Sequence, residues 1–261
     1  MSEHGQPTMR RTGLPTPSTV LRETQLRPPA RSAVESPHAQ AERPITYRIL
    51  RTNQMDPYDQ ALTEAEIITL GRERIVGDDF RGTARRAAKL SIANAETEVF
   101  GDLSGLIASL PTDATKVHRR RPIRVEARSR RVREEKRNVR FRAFLYAASR
   151  EADNDYHLIV GRDPSLSPLY ITMELSGLPR TNSAHFQQLQ AARGAYTAFF
   201  GAQLPGASYD FYDPPIALDI AGSLFFDMSH AAGGRPGPQD LRPDMPVIWK
   251  IHPIVAIVLE P

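Results

Sequence analysis

The residue pattern predicts a mainly β protein with a few helices, and three observations carry that assignment. Residues 138–149, 155–161 and 168–176 are successive runs rich in β-branched and aromatic side chains, separated by polar, turn-forming segments. Residues 182–201 then place Phe186, Leu189, Ala192, Ala195, Tyr196 and Phe199 on one face at helical spacing. Two further apolar runs, 216–226 and 247–259, follow that helix.

The order strand, strand, strand, helix, strand, strand is that of an OB-like barrel, with five strands and a helix between the third and fourth. The turns are read from their own residues. Positions 150–154 (Arg-Glu-Ala-Asp-Asn) favour an Asx turn between the first two strands, and Asp163-Pro-Ser supports the next. Asn182 or Ser183 is placed to cap the helix and Gly201 to end it. Gly222 marks a bend in the fourth strand, and Pro253, with no amide proton to donate, marks a bulge in the fifth.

Upstream the signals differ. Residues 1–45 hold seven prolines and no aromatic residue, which predicts a tail without regular structure. Residues 45–50 alternate like a short edge strand. The stretch 46–117 otherwise reads as mainly helical. Thr63 is a candidate N-cap with Glu64 and Glu66 in the first turn, and Gly77 a stop. A second helical piece covers 79–90. A third has Phe100, Leu103, Leu106, Ile107 and Leu110 on one face and ends at Pro111. The expected organisation is a tail (1–45), a small helical layer (46–117) and a barrel domain (118–261) with a basic entry segment.

Composition limits the chemistry. The 261-residue chain has no cysteine, which excludes disulfides, thiol catalysis and cysteine-ligated zinc and fits a cytoplasmic setting. No run of about 18 apolar residues exists, so neither a transmembrane helix nor a membrane partner is expected. The first 30 residues lack an apolar signal core. Net charge is only +4, but residues 119–142 contain twelve Lys or Arg against three acids. Such a run can track phosphates, as nucleic-acid surfaces do. The candidate binding residues are Arg119, Arg120, Arg121, Arg124, Arg128, Arg130, Arg131, Arg140 and Arg142. The competing reading is a solvated segment entering the first strand, where arginines alternate with apolar residues.

The candidate catalytic or metal-ligating residues are His157, Asp227, His230 and His252. Neutral imidazoles and a carboxylate can hold a divalent metal or position a water. Glu151, Asp153, Asp155 and Glu174 supply further acid–base groups. Each also has a structural role open to it: Asp227 can cap the turn that follows, and the histidines can be satisfied inside the core. HExxH, a nucleophile elbow and a phosphate-cradling glycine loop are absent.

Several of these residues fall in motifs. They are Glu151-x-Asp-x-Asp155-Tyr-His-Leu, Glu174, Ala192-Arg193, Gly222-x-x-Phe-Phe-Asp227-x-x-His230 and a final His252-Pro253. Taken together, residues 99–260 resemble a family of uncharacterised bacterial proteins. Where that family places an acid before the last apolar-His-Pro, this chain has Lys250. The resemblance implies a shared fold and carries no established activity.

Three functions are therefore expected, in order. The first is a non-enzymatic binding module for a polyanion such as nucleic acid, or for a protein partner, without a cofactor. The second is a metal-dependent, nuclease-like hydrolase using His157, Asp227, His230 and His252, the one reading that calls for a divalent ion. The third is a structural or assembly protein.

Overall fold

Strand β4 (Asn138–Arg150) is the element on which the sheet turns, because it pairs with neighbours along both edges. The computed structural model describes residues 13–29, 45–56, 77–112, 122–231 and 234–260. Within them the chain is mainly β. The strands are β1 (Val20–Leu26), β2 (Tyr47–Thr52), β3 (Thr97–Val99), β4, β5 (Tyr156–Gly161), β6 (Tyr170–Leu175), β7 (Asp210–Phe226) and β8 (Trp249–Leu259). The α-helices are α1 (Arg86–Lys89), α2 (Leu103–Ala108) and α3 (Phe186–Phe200).

The strands form one sheet in the order β1-β2-β7-β8-β6-β5-β4-β3. An additional β7–β4 pairing closes β4, β5, β6, β8 and β7 into a circuit. Pairing is antiparallel throughout that circuit except between β6 and β8, which run parallel. Parallel neighbours need a long crossover, and here it comprises α3 and β7.

The five C-terminal strands and their helix follow the expected order, but β7 begins earlier than expected, at Asp210, and the helix starts after His185 with no side-chain cap from Asn182 or Ser183. β7 and β8 shift register around Gly222, opposite Pro253, so the expected bend and bulge coincide. A Cβ at Gly222 would stand 2.4 Å from Ile251 Cγ2 and 2.5 Å from the Pro253 carbonyl oxygen, so only glycine lets the strands approach this closely.

The strand count and the N-terminal part depart from expectation. The sheet has eight strands, not five. Residues of the expected tail form β1, which pairs with β2 because its alternating side chains leave the backbone free to do so. β2 is no edge strand, since β1 and β7 flank it. The described residues of 46–117 hold two short helices, α1 and α2, beside β2 and β3. The helix expected after Thr63 lies outside the described residues.

Strand alternation gives β5, β6 and β8 two unlike faces. Leu158, Val160, Met173, Leu175 and Ile251 face a large apolar core, into which α3 inserts Ala192, Tyr196, Phe199 and Phe200. The alternate positions include His157, Glu174, Lys250 and His252, all buried. They are covered by chain from outside the circuit.

That covering layer is held by polar clasps. The Phe80 amide donates to the Leu178 carbonyl and the Leu178 amide to the Asp78 carbonyl, while Arg193 on α3 donates to the Ser176 carbonyl and pairs with Asp78 at 3.1 Å. Arg85 makes a two-pronged, fully buried pair with Glu135 at 2.7 Å on both prongs. Glu135 also accepts from the Phe226 amide, and Arg85 donates to the Phe226 carbonyl, fixing this layer to the end of β7.

Two measurements follow. Glu135→Gln leaves the Arg85 guanidinium buried without its counter-charge and should cost about 3–5 kcal/mol in urea unfolding. Asp210, next to Arg51, is pushed up to about 6, with burial outweighing the arginine. A raised carboxyl pKa costs stability above the folded value, and the cost disappears below the unfolded value of about 3.9. Asp210→Asn should therefore raise Tm by a few degrees at pH 8, with the gain vanishing near pH 4.

Candidate active site: a polar pocket over the sheet

The β4–β5 hairpin builds one wall. Its turn is closed by Glu151 N–H donating to the Asp155 carbonyl (2.9 Å) and Asn154 N–H donating to the Glu151 carbonyl (3.0 Å). Asn154 takes a positive φ of 76°, which asparagine tolerates better than most residues. Its amide donates to the Asp79 carbonyl and ties the turn to the covering layer. The turn presents Glu151 and Asp153 to a cavity of about 300 Å³ and sends Asp155 inward.

His157 follows on β5. Its Nδ1 lies 2.7 Å from Glu151 Oε1 and 3.1 Å from the Tyr209 hydroxyl. Asp56 stands behind, accepting from the Tyr209 hydroxyl (3.4 Å) and from the Gly237 amide (2.6 Å). Opposite His157 in register is Glu174 on β6. One Glu174 oxygen contacts the Lys250 ammonium, which also reaches Asp227 at 2.6 Å. The other contacts His252 Nδ1. His252 Nε2 lies 2.9 Å from Ser176 Oγ and 3.6 Å from Asp155 Oδ2. From α1, Lys89 reaches Asp153 at 2.9 Å. Glu174 is thus the hub of a continuous acid–base network.

Burial and neighbouring charge set the protonation states. Burial would raise Glu174, but Lys250 and His252 outweigh it and hold it well below the carboxylate range. Burial likewise opposes the charge on Asp227, which Lys250 and His230 keep low. Lys250, desolvated but set between Asp227 and Glu174, is held above its ordinary value. Burial lowers His252 to about 4, so it is neutral at pH 7. His157 is also desolvated, yet Glu151 carries it up to about 9. Glu151 is pushed up to about 7 by burial, against the pull of His157. Burial, reinforced by Asp153, raises Asp155 well above its usual value.

The four candidates selected from sequence are brought into one network but not into one ligand set. His157, Asp227 and His230 line the cavity, whereas His252 lies beneath it and is fully buried. Among the described residues, three groups bring possible ligand atoms within 4.8 Å of one another: Glu151–His157–Glu174, Asp155–Glu174–His252 and Glu151–Asp153–Asp155. Asp227 and His230 belong to none of them. Asp227 instead caps its turn, accepting from the Ser229 amide at 3.0 Å, and it pairs with Lys250.

Sequence reasoning missed Lys89, Asp56 and the function of Lys250. A lysine inside an apolar strand run, as in Val247-Ile-Trp-Lys-Ile, is the one signal that could have found Lys250, because such a cation needs buried acids.

The six described arginines of the expected nine-residue surface occupy different settings. Arg119, Arg120 and Arg121 lie outside the described residues. Arg131 is buried, donating to the carbonyls of Ser91 and Leu224. Arg140 and Arg142 pair with Asp219 and Glu260, each at 2.8 Å, because strand neighbours bring those acids alongside. Arg124, Arg128 and Arg130 are exposed, and they flank Val125, which lines the cavity.

No family model matches this chain, and no curated protein or solved structure matches it either.

Lys250 holds two buried carboxylates in place. Lys250→Gln removes the ammonium that Glu174 and Asp227 share, and equilibrium unfolding should report a loss of about 3–5 kcal/mol.

Proposed function

We propose that the chain is a hydrolase that acts on a phosphate-bearing substrate, with Glu151 and His157 as the acid–base pair. The observation that carries this reading is their 2.7 Å contact on the wall of a cavity that also carries Asp56, Arg85, Lys89, Asp153, Asp227 and Lys250. A buried carboxyl and imidazole in direct contact can pass a proton to and from a substrate oxygen. Glu151 is the base that draws a proton from the attacking water. His157, oriented by Tyr209, stabilises the charge that develops. Arg124 and Arg128, exposed on either side of Val125, draw an anionic substrate towards the opening.

The fold supports this reading by analogy. The circuit β4-β5-β6-β8-β7, with β6 and β8 parallel and α3 between β6 and β7, is what an OB-like barrel would show. OB barrels bind extended ligands on the outer face of their second and third strands. β5 and β6 occupy those positions, and the pocket lies over them. The motif residues Glu151, Asp155, His157, Glu174, Asp227, His230 and His252 also gather in this network.

The test is hydrolysis of bis(p-nitrophenyl) phosphate and of a single-stranded oligonucleotide, with and without millimolar Mg2+ or Mn2+. Turnover by the wild type is expected, reduced at least about 100-fold in kcat for Glu151→Gln and for His157→Gln. Arg124→Ala/Arg128→Ala should raise KM for the oligonucleotide with little change in kcat. Oligonucleotide binding without turnover would overturn the hydrolase reading and leave a binding module, whose affinity should fall steeply with salt.

A further inference from the structure

We propose that Glu151, Asp153 and Asp155 form a site for one hard divalent cation, of the class of Mg2+, Mn2+ or Ca2+, at the inner wall of the cavity. The three carboxylates lie on one tight turn, and each offers an oxygen within 4.8 Å of the other two. All-oxygen sets of this kind select hard cations over zinc or copper.

Acidic clusters are common, so the argument rests on a second observation. Asp155 is fully buried, and its Oδ1 accepts the Gly177 amide at 2.7 Å. Its Oδ2 is buried too and has no hydrogen-bond donor. Buried polar atoms are nearly always satisfied, and a carboxylate oxygen left bare in the interior is costly.

The surrounding charges do not fill that gap. Lys250 is committed to Glu174 and Asp227. His157 is committed to Glu151. Lys89 sits on Asp153 at 2.9 Å and stays 4.0 Å from Asp155. His252 approaches Asp155 only to 3.6 Å and is bonded to Ser176. Asp155 Oδ2 is therefore left without a donor beside an open cavity, and a cation can enter there because Glu151 and Asp153 line it. Lys89 occupies the cavity side of the turn as a tethered ammonium, and the incoming ion displaces it.

This site shares Glu151 with the proposed hydrolysis but does not depend on that reading, because its test is binding alone. The experiment is isothermal titration of the EDTA-treated full chain with MnCl2 and CaCl2, with thermal unfolding measured in parallel. The expected result is saturable one-site binding and a Tm that climbs with ion concentration. Asp153→Asn and Asp155→Asn should each weaken binding at least tenfold. Lys89→Gln should tighten it, because the ammonium no longer competes. If Asp155→Asn does not fold, Asp153→Asn decides, since its side chain is at the wall and 14 % exposed.

Absence of saturable binding by the wild type with either ion overturns the proposal. Wild-type affinity in the Asp153→Asn variant overturns it as well, by placing the ion elsewhere. Ion binding without turnover counts against the hydrolase reading alone, and turnover without ion binding counts against this site alone.

Discussion

The ammonium of Lys250, held between Glu174 and Asp227, is the interaction on which the polar half of this molecule depends. Two carboxylates in a dry interior repel each other and lack water, and either one alone would take up a proton or force the site open. A cation fixed on the next strand removes both problems. It also sets the geometry, since Glu174 can then turn its second oxygen to His252 while facing His157 across the ladder. The network extends from there to Asp155 in one direction and His230 in the other.

Such a network survives because the same strands are apolar on their other side. Residues one position away from Glu174 and Lys250, namely Met173, Leu175 and Ile251, belong to the large core packed by α3. The hydrophobic gain on that face holds the strands rigidly enough to keep charged groups in register on the other. Burying the polar face then needs extra chain, and the segments around Arg85 and Glu135 provide it with an internally neutral clasp.

Much of the sheet was legible in the residue pattern, since β4 to β8 and α3 follow from period-2 and period-3.6 spacing with glycine and proline as punctuation. The first strand was not. The run Val20–Leu26 carries Arg, Glu and Gln at exposed positions and Thr24 at a half-buried one, so it resembles a tail until β2 is present to pair with it. The site was legible in its histidines and acids and illegible in its lysines. His157, Asp227 and Glu174 stand out as rare polar residues within apolar runs. Lys89, at the end of the basic, alanine-rich stretch 84–89, looks like any exposed cation. Only tertiary packing brings it against Asp153. The arginine run misled for the complementary reason: sequence counts charges, and the partners that neutralise Arg140 and Arg142 lie 79 and 118 positions away.

The cavity is not made by the five-membered circuit alone. Asp56 reaches it from the strand pair added at the outer edge of β7, and its carboxylate joins Tyr209 to the backbone of the segment that begins at residue 234. A peptide beginning after Asp56 would retain every pairing of the ring and still be missing one of the charges in its own chamber. The pairings of the ring and the charges of its chamber therefore have different boundaries in this molecule, and the second extends further towards the amino terminus than the first.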